Sequence, residues 1–105
     1  MGPRTGFEAL IGGWSRADGN YHIVVQSVSA EGVLQAMYFN PNPLPFAQAQ
    51  AFRESGTVRA RFELRAGGYN GSSYDLRYDP GTDRLIGIYH QAVAQQKFEV
   101  QFQRR

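Results

Sequence analysis

Arg16 raises the sharpest chemical question in this chain. It closes the run Ile11-Gly12-Gly13-Trp14-Ser15-Arg16, and if Trp14 points into a sheet-built interior, strict alternation sends Arg16 into the same interior near its mouth. An unpaired guanidinium is too costly to bury, so it must turn outward at a bulge, reach water, or meet a carboxylate or a bound anion. An outward or water-facing Arg16 is the first expectation, and an anionic ligand held by it is the more specific alternative. Tyr21, Phe39, Tyr74 and Tyr89 supply aromatic faces on which a planar molecule could stack, and Asn40, Asn42, Tyr69 and Gln91 supply hydrogen-bonding groups for a rim. With Arg16 these form the candidate ligand-binding set. The same rings could instead fill the space, because a small barrel is narrow enough to be packed solid, and exposed loops are polar in any case.

Reaction chemistry finds little support. His22 and His90 show neither a His-x-x-x-His nor a mixed-ligand spacing, and no cysteine is present to make a thiolate site. Asp75 and Asp79 flank Arg77 as a solvated charge pattern. No nucleophile elbow, phosphate loop or carboxylate pair stands out, and the glycines of Ala66-Gly67-Gly68-Tyr69-Asn70-Gly71 lack the strand-to-helix context of a phosphate cradle. The expectation is a non-enzymatic protein with no catalytic residues, no metal and no cofactor.

The elements that must position these residues are strands. At 105 residues, with 13% aromatics and twelve glycines, the chain suits one all-β domain spanning 1–105. Met1 to Gly6 reads as a trimmed or engineered start outside the ordered fold. Period-two stretches bounded by turn residues predict about eight strands: Ile11–Arg16, Tyr21–Val28, Val33–Phe39, Phe46–Arg53, Thr57–Arg65, Ser72–Tyr78, Arg84–Gln91 and Lys97–Arg104. In the fifth, Val58, Ala60, Phe62 and Leu64 alternate with Arg59, Arg61, Glu63 and Arg65, which gives one buried and one wet face. Short connections describe an antiparallel up-and-down meander, and eight strands of it can close into a barrel with no exposed edge. The alternative is a two-sheet β-sandwich.

In such a meander the odd-numbered connections share one end. That end carries Asn40-Pro41-Asn42-Pro43-Leu44-Pro45, residues 66–72 and residues 92–96, whereas the other end has only compact turns. The prolines, which cannot donate ladder hydrogen bonds, therefore read as a stiff lid loop at 40–45 over an open mouth. Interior candidates toward that mouth also include Met37, Phe46 and Phe98. Ala47, Ala49 and Ala51 alternate with larger residues; facing outward they would make a flat surface for a second copy, and facing inward they would make space.

The Gly12-Gly13-Trp14 run, preceded by a short turn-like segment and matched by Phe102-Gln103-Arg104-Arg105 at the far end, resembles the calycin superfamily of lipocalins, avidin and streptavidin, and small bacterial metalloprotease inhibitors. That resemblance implies a Trp14 at the closed end of the barrel with Arg104 or Arg105 packed across it. It implies no avidin-like biotin site, since this chain has a single tryptophan, and the inhibitors' disulfide is missing.

The resulting expectation is a small-molecule-binding barrel of unknown ligand, aromatic or anionic; the alternative is a protein-interaction module, protease-inhibitor-like or homo-oligomeric. Expected partners are a small molecule and a second copy in a homodimer. Nucleic acid is disfavoured by a net charge of only +2 with scattered basic residues. No apolar run is long enough for a membrane span. Localisation stays open, periplasmic or secreted if an export signal has been removed.

Overall fold

The computed structural model describes residues 6–17, 19, 21–39, 42–64 and 71–105. After a single 3-10 turn at Phe7–Leu10, the strands are β1 (Gly12–Arg16), β2 (His22–Val28), β3 (Leu34–Phe39), β4 (Pro43–Glu54), β5 (Thr57–Leu64), β6 (Ser73–Asp79), β7 (Arg84–Gln91) and β8 (Gln96–Arg104). Each pairs antiparallel with the next, and β8 returns to β1, giving a closed up-and-down barrel. The closing seam pairs Trp14 with Arg104, Ser15 with Gln103 and Arg16 with Phe102. It is extended at both ends, where Ala17 N–H donates to the Gln101 carbonyl and Arg105 N–H to the Gly13 carbonyl, each at 3.0 Å. A sandwich would leave both of these strands with bare flanks, and it is set aside.

Alternation selects the core. Ala60, Phe62 and Leu64 of β5 are buried while Arg59, Arg61 and Glu63 take the other face. Trp14, Ile23, Tyr38, Phe62, Tyr74, Leu76, Leu85 and Phe102 fill the interior, and each fully buried apolar side chain of this kind stabilises by about 1.5–3 kcal/mol. No helix among the described residues is long and apolar enough to cross a membrane.

The base is closed by the two ends of the chain. Trp14 donates its indole N–H to the Leu10 carbonyl of the 3-10 turn at 2.9 Å. The guanidinium of Arg104 lies 4.2 Å from the centre of the indole. It also donates to the carbonyls of Ile11 at 2.8 Å and Ala9 at 2.6 Å, and to Asp83 at 2.8 and 3.0 Å. Gly12 makes room for this arrangement. Its φ is 129°, and a Cβ there would sit 2.7 Å from the Arg104 Nη1.

Two expectations about β4 are corrected. Pro43 and Pro45 are not lid residues: they belong to β4, opposite Phe39 and Met37. Alternate positions direct their backbone nitrogens to the same flank of a strand, and among the described residues β5 pairs with β4 only from Phe46 onward. Among the described residues, two prolines there take no ladder hydrogen bond away from that flank. Asn42 is an exposed bend, and Asn40 and Pro41 lie outside the described residues. The alanine stripe is also broken. A register shift between Phe46 and Gln48 leaves Ala47 exposed, whereas Ala51 is buried in the core and Ala49 packs against it. An outward alanine surface for a second copy does not exist.

β3 and β4 also part company over a stretch of wall. Their ladder runs from Phe39↔Pro43 to Met37↔Pro45, and the next pairing is the isolated bridge Val33↔Gln50.

Candidate functional site

The C-terminal ends of β1, β3, β5 and β7 meet the N-terminal ends of β2, β4, β6 and β8 at one end of the barrel, and there the filled core gives way to a cavity of about 230 Å³. Its lining is Arg16, Tyr21, Tyr38, Tyr89, Gln91 and Phe98.

Arg16 turns inward, against the outward expectation. No bulge intervenes in β1, so alternation from the buried Trp14 holds. The cost is offset in the way burial of a guanidinium requires. Its Nη1 donates to the Tyr74 hydroxyl at 3.0 Å, and its carbon lies 4.3 Å from the centre of the Tyr21 ring and 5.8 Å from that of Tyr89. Contacts of this kind are worth about 0.5–2 kcal/mol each, depending on desolvation. Arg16 also borders the cavity.

The rings form a connected set. Tyr21 stacks on Tyr38 with centroids 6.2 Å apart and planes within 8°. Tyr38 meets Tyr74 at 5.8 Å, Tyr74 meets Tyr89 at 4.6 Å, and Tyr89 stacks on Phe98 at 6.4 Å. Within that set the hydroxyls of Tyr38 and Tyr74 lie 3.0 Å apart. Burial pushes the Tyr38 phenol well above its ordinary value, and the neighbouring Tyr74 adds to the rise. Burial also raises Tyr74, although hydrogen bonding to Tyr38 and the charge of Arg16 oppose it. Both phenols are therefore neutral at physiological pH and above.

Of the residues expected at the site, Arg16, Tyr21, Tyr89 and Gln91 line the cavity, and Tyr74 sits directly beneath it as the partner of Arg16 and Tyr38. Phe39 does not belong: it pairs with His22 and Pro43 on the face opposite Tyr38, outside the barrel. Asn42 is exposed and absent from the lining. Asn40 and Tyr69 lie outside the described residues. Tyr38 was missed because both phases of Val33 to Phe39 look apolar. The usable signal was Gln35, which shares a phase with Met37 and Phe39 and marks that phase as the wet one.

A larger depression, about 480 Å³, opens on the outer wall where β3 and β4 separate, among Gln26, Gln35, Gln48, Gln50 and small or apolar neighbours. Among the described residues no charged group lines it and Phe46 is its only ring, so it offers little to orient a ligand. The mouth, although smaller, combines a cation, hydroxyls, an amide and stacked rings, and is the better site on chemical grounds.

The histidines stand apart. His22 Nδ1 is 3.0 Å from the Ser15 hydroxyl and His90 Nε2 is 3.6 Å from Asp75. Among the described residues no three His, Cys, Asp or Glu side chains converge on a common point.

Comparison with protein-family models, with curated proteins and with solved structures finds no match to the chain.

Proposed function

We propose that this protein is a non-enzymatic binding barrel whose mouth takes one small planar molecule, aromatic or anionic, between the rings of Tyr21, Tyr89 and Phe98 and beside the guanidinium of Arg16. The observation that carries this reading is the inward Arg16 at the floor of a cavity walled by aromatic faces. A charged side chain is expensive to hold there, and the sequence satisfies it with Tyr74 rather than replacing it by an apolar residue. A volume of about 230 Å³ falls just under the ~300–1,000 Å³ of drug-sized pockets, which restricts the occupant to about one ring and its substituent. A fatty acyl chain does not fit, and a lipid carrier is disfavoured. Kinship with the calycins belongs to the same proposal, supported by Gly12, Trp14 and the stacked Arg104 at the closed base.

Saturation-transfer NMR with single-ring probes, charged and neutral, tests the reading. Binding by at least one probe, lost in Tyr21→Ala with the Trp14 environment intact, is the expected result. Failure of every probe to bind at millimolar concentration would refute it.

A further inference from the structure

We infer that the barrel opens sideways: the seam between β3 and β4 parts while the other seams stay shut, and a molecule in the mouth holds it closed. The second half rests on the reading that the mouth is a binding site.

The seam is poor in hydrogen bonds for reasons written in its residues. Its ladder has three consecutive pairs, Phe39↔Pro43, Tyr38↔Leu44 and Met37↔Pro45. A proline nitrogen cannot donate, so neither proline pair can exchange two bonds, and Tyr38↔Leu44 is the pair that does. Among the described residues no further pair forms before the isolated bridge Val33↔Gln50, beside which the Ala51 N–H donates to the Gly32 carbonyl.

Both strands are also loosened on their far flanks at this level. The β2–β3 register shifts between Val25 and Ser27, opposite Ala36 and Gln35, and the β4–β5 register shifts between Phe46 and Gln48. A bulge disrupts the ladder around it and bends its strand. The depression of about 480 Å³ lies between the two strands, and four of its lining residues, Leu34, Ala36, Phe46 and Ala49, belong to the core or pack against it. Core side chains are therefore reached from outside the wall. The seam of β1 and β8 is equally short, but backbone bonds extend it at both ends and Arg104 straps it to the carbonyls of Ala9 and Ile11. Local opening costs least where ladder bonds are sparse and apolar contact is thin, which singles out β3–β4.

Tyr38 joins this seam to the mouth. Its ring lines the mouth cavity and meets Phe46 across the seam with centroids 5.9 Å apart. Parting the strands breaks that contact and removes the wall behind Tyr38. A molecule packed on Tyr38 in the mouth favours the closed seam, and by linkage it slows the opening.

Native-state hydrogen exchange followed by NMR tests this. The Tyr38 and Leu44 amides are expected to exchange about a hundredfold or more faster, relative to their intrinsic rates, than the ladder amides of β7 and β8. Met37→Cys with Pro45→Cys provides a staple, because an opposed pair that does not exchange hydrogen bonds brings its Cβ atoms close enough for a disulfide, and the chain has no other cysteine. Oxidation should slow the Tyr38 and Leu44 amides by about tenfold more than it slows those of β7 and β8. Benzoate at about ten times its dissociation constant should slow the two seam amides of the wild-type protein by about tenfold. Seam amides as protected as those of β7 and β8 would overturn the inference whatever benzoate does, and so would exchange that is identical in the oxidised and reduced staple. If benzoate shifts the mouth resonances yet leaves seam exchange unchanged, the coupling falls and the binding reading survives. If benzoate and every other single-ring probe fail to bind, the binding reading falls and the coupling with it, while fast seam exchange still upholds the opening. Should the staple variant not fold, wild-type exchange alone decides whether the seam opens.

Discussion

Replacing Arg104 with alanine should unfasten the base of the barrel. The side chain stacks on Trp14, ties the carbonyls of Ala9 and Ile11, and grips Asp83 with two nitrogens. The stacking contact is worth about 0.5–2 kcal/mol. Hydrogen bonds from a charged donor to the two carbonyls add about 1.5–3 kcal/mol each at most, discounted here because the Ile11 bond is exposed. The Asp83 pair is about a third to a half exposed and contributes only ~0–1 kcal/mol. These terms share one side chain and do not add, so a net loss of about 2–4 kcal/mol is expected. For a domain of this size that is a fall of about 10–20 °C in Tm, measured by circular dichroism. Arg104→Lys keeps the charge but loses the fork and should fall about half as far. Arg105→Ala should change little. A drop of less than about 3 °C for Arg104→Ala would refute the clasp.

Gly12→Ala places a Cβ 2.7 Å from Arg104 Nη1 at a φ of 129°; it should cost about 1–3 kcal/mol in urea denaturation, and an unchanged midpoint would contradict the close approach. Gly87→Ala should be at least as damaging, since its Cβ would overlap the Asp75 carbonyl oxygen of the neighbouring strand. The folded-state pKa values of Tyr38 and Tyr74 are raised above the ordinary phenol value of 10.0, so the stability they contribute is complete below about pH 10 and is lost as pH rises beyond it. A Tyr38→Phe, Tyr74→Phe double variant should show a shallower alkaline decline in Tm, and an identical decline would count against the buried pair. Asp83 is held below the ordinary carboxylate value by hydrogen bonds from Arg104 and Tyr78. Its contribution is present above about pH 4 and disappears as pH falls through the lower folded value, so Asp83→Asn should be less stable than wild type at pH 7 and lose less on acidification.

Strand periodicity carried most of the fold. The eight strands and the closure at Trp14 and Arg16 follow from alternation and turn chemistry, which act locally and are written residue by residue. What alternation cannot supply is phase where both faces are apolar, and this is where Tyr38 was passed over for Phe39. It also cannot foresee a bulge. The shift between Phe46 and Gln48 splits Ala47 from Ala49 and Ala51, and nothing in the local residue types marks it. Pro43 and Pro45 misled for a related reason. Whether a strand tolerates proline depends on which flank carries the ladder, and that is set by the neighbouring strands, not by the local residues. Arg16 depended on a non-local partner, Tyr74, fifty-eight positions away.

The most direct test maps where a planar carboxylate sits. With benzoate titrated into isotope-labelled protein, the account predicts shifts at Arg16, Tyr38, Tyr89, Gln91 and Phe98, with the outer-wall amides of Gln26, Gln35, Gln48 and Gln50 left in place. Shifts confined to those glutamines would put the ligand in the breach between β3 and β4 and contradict the account.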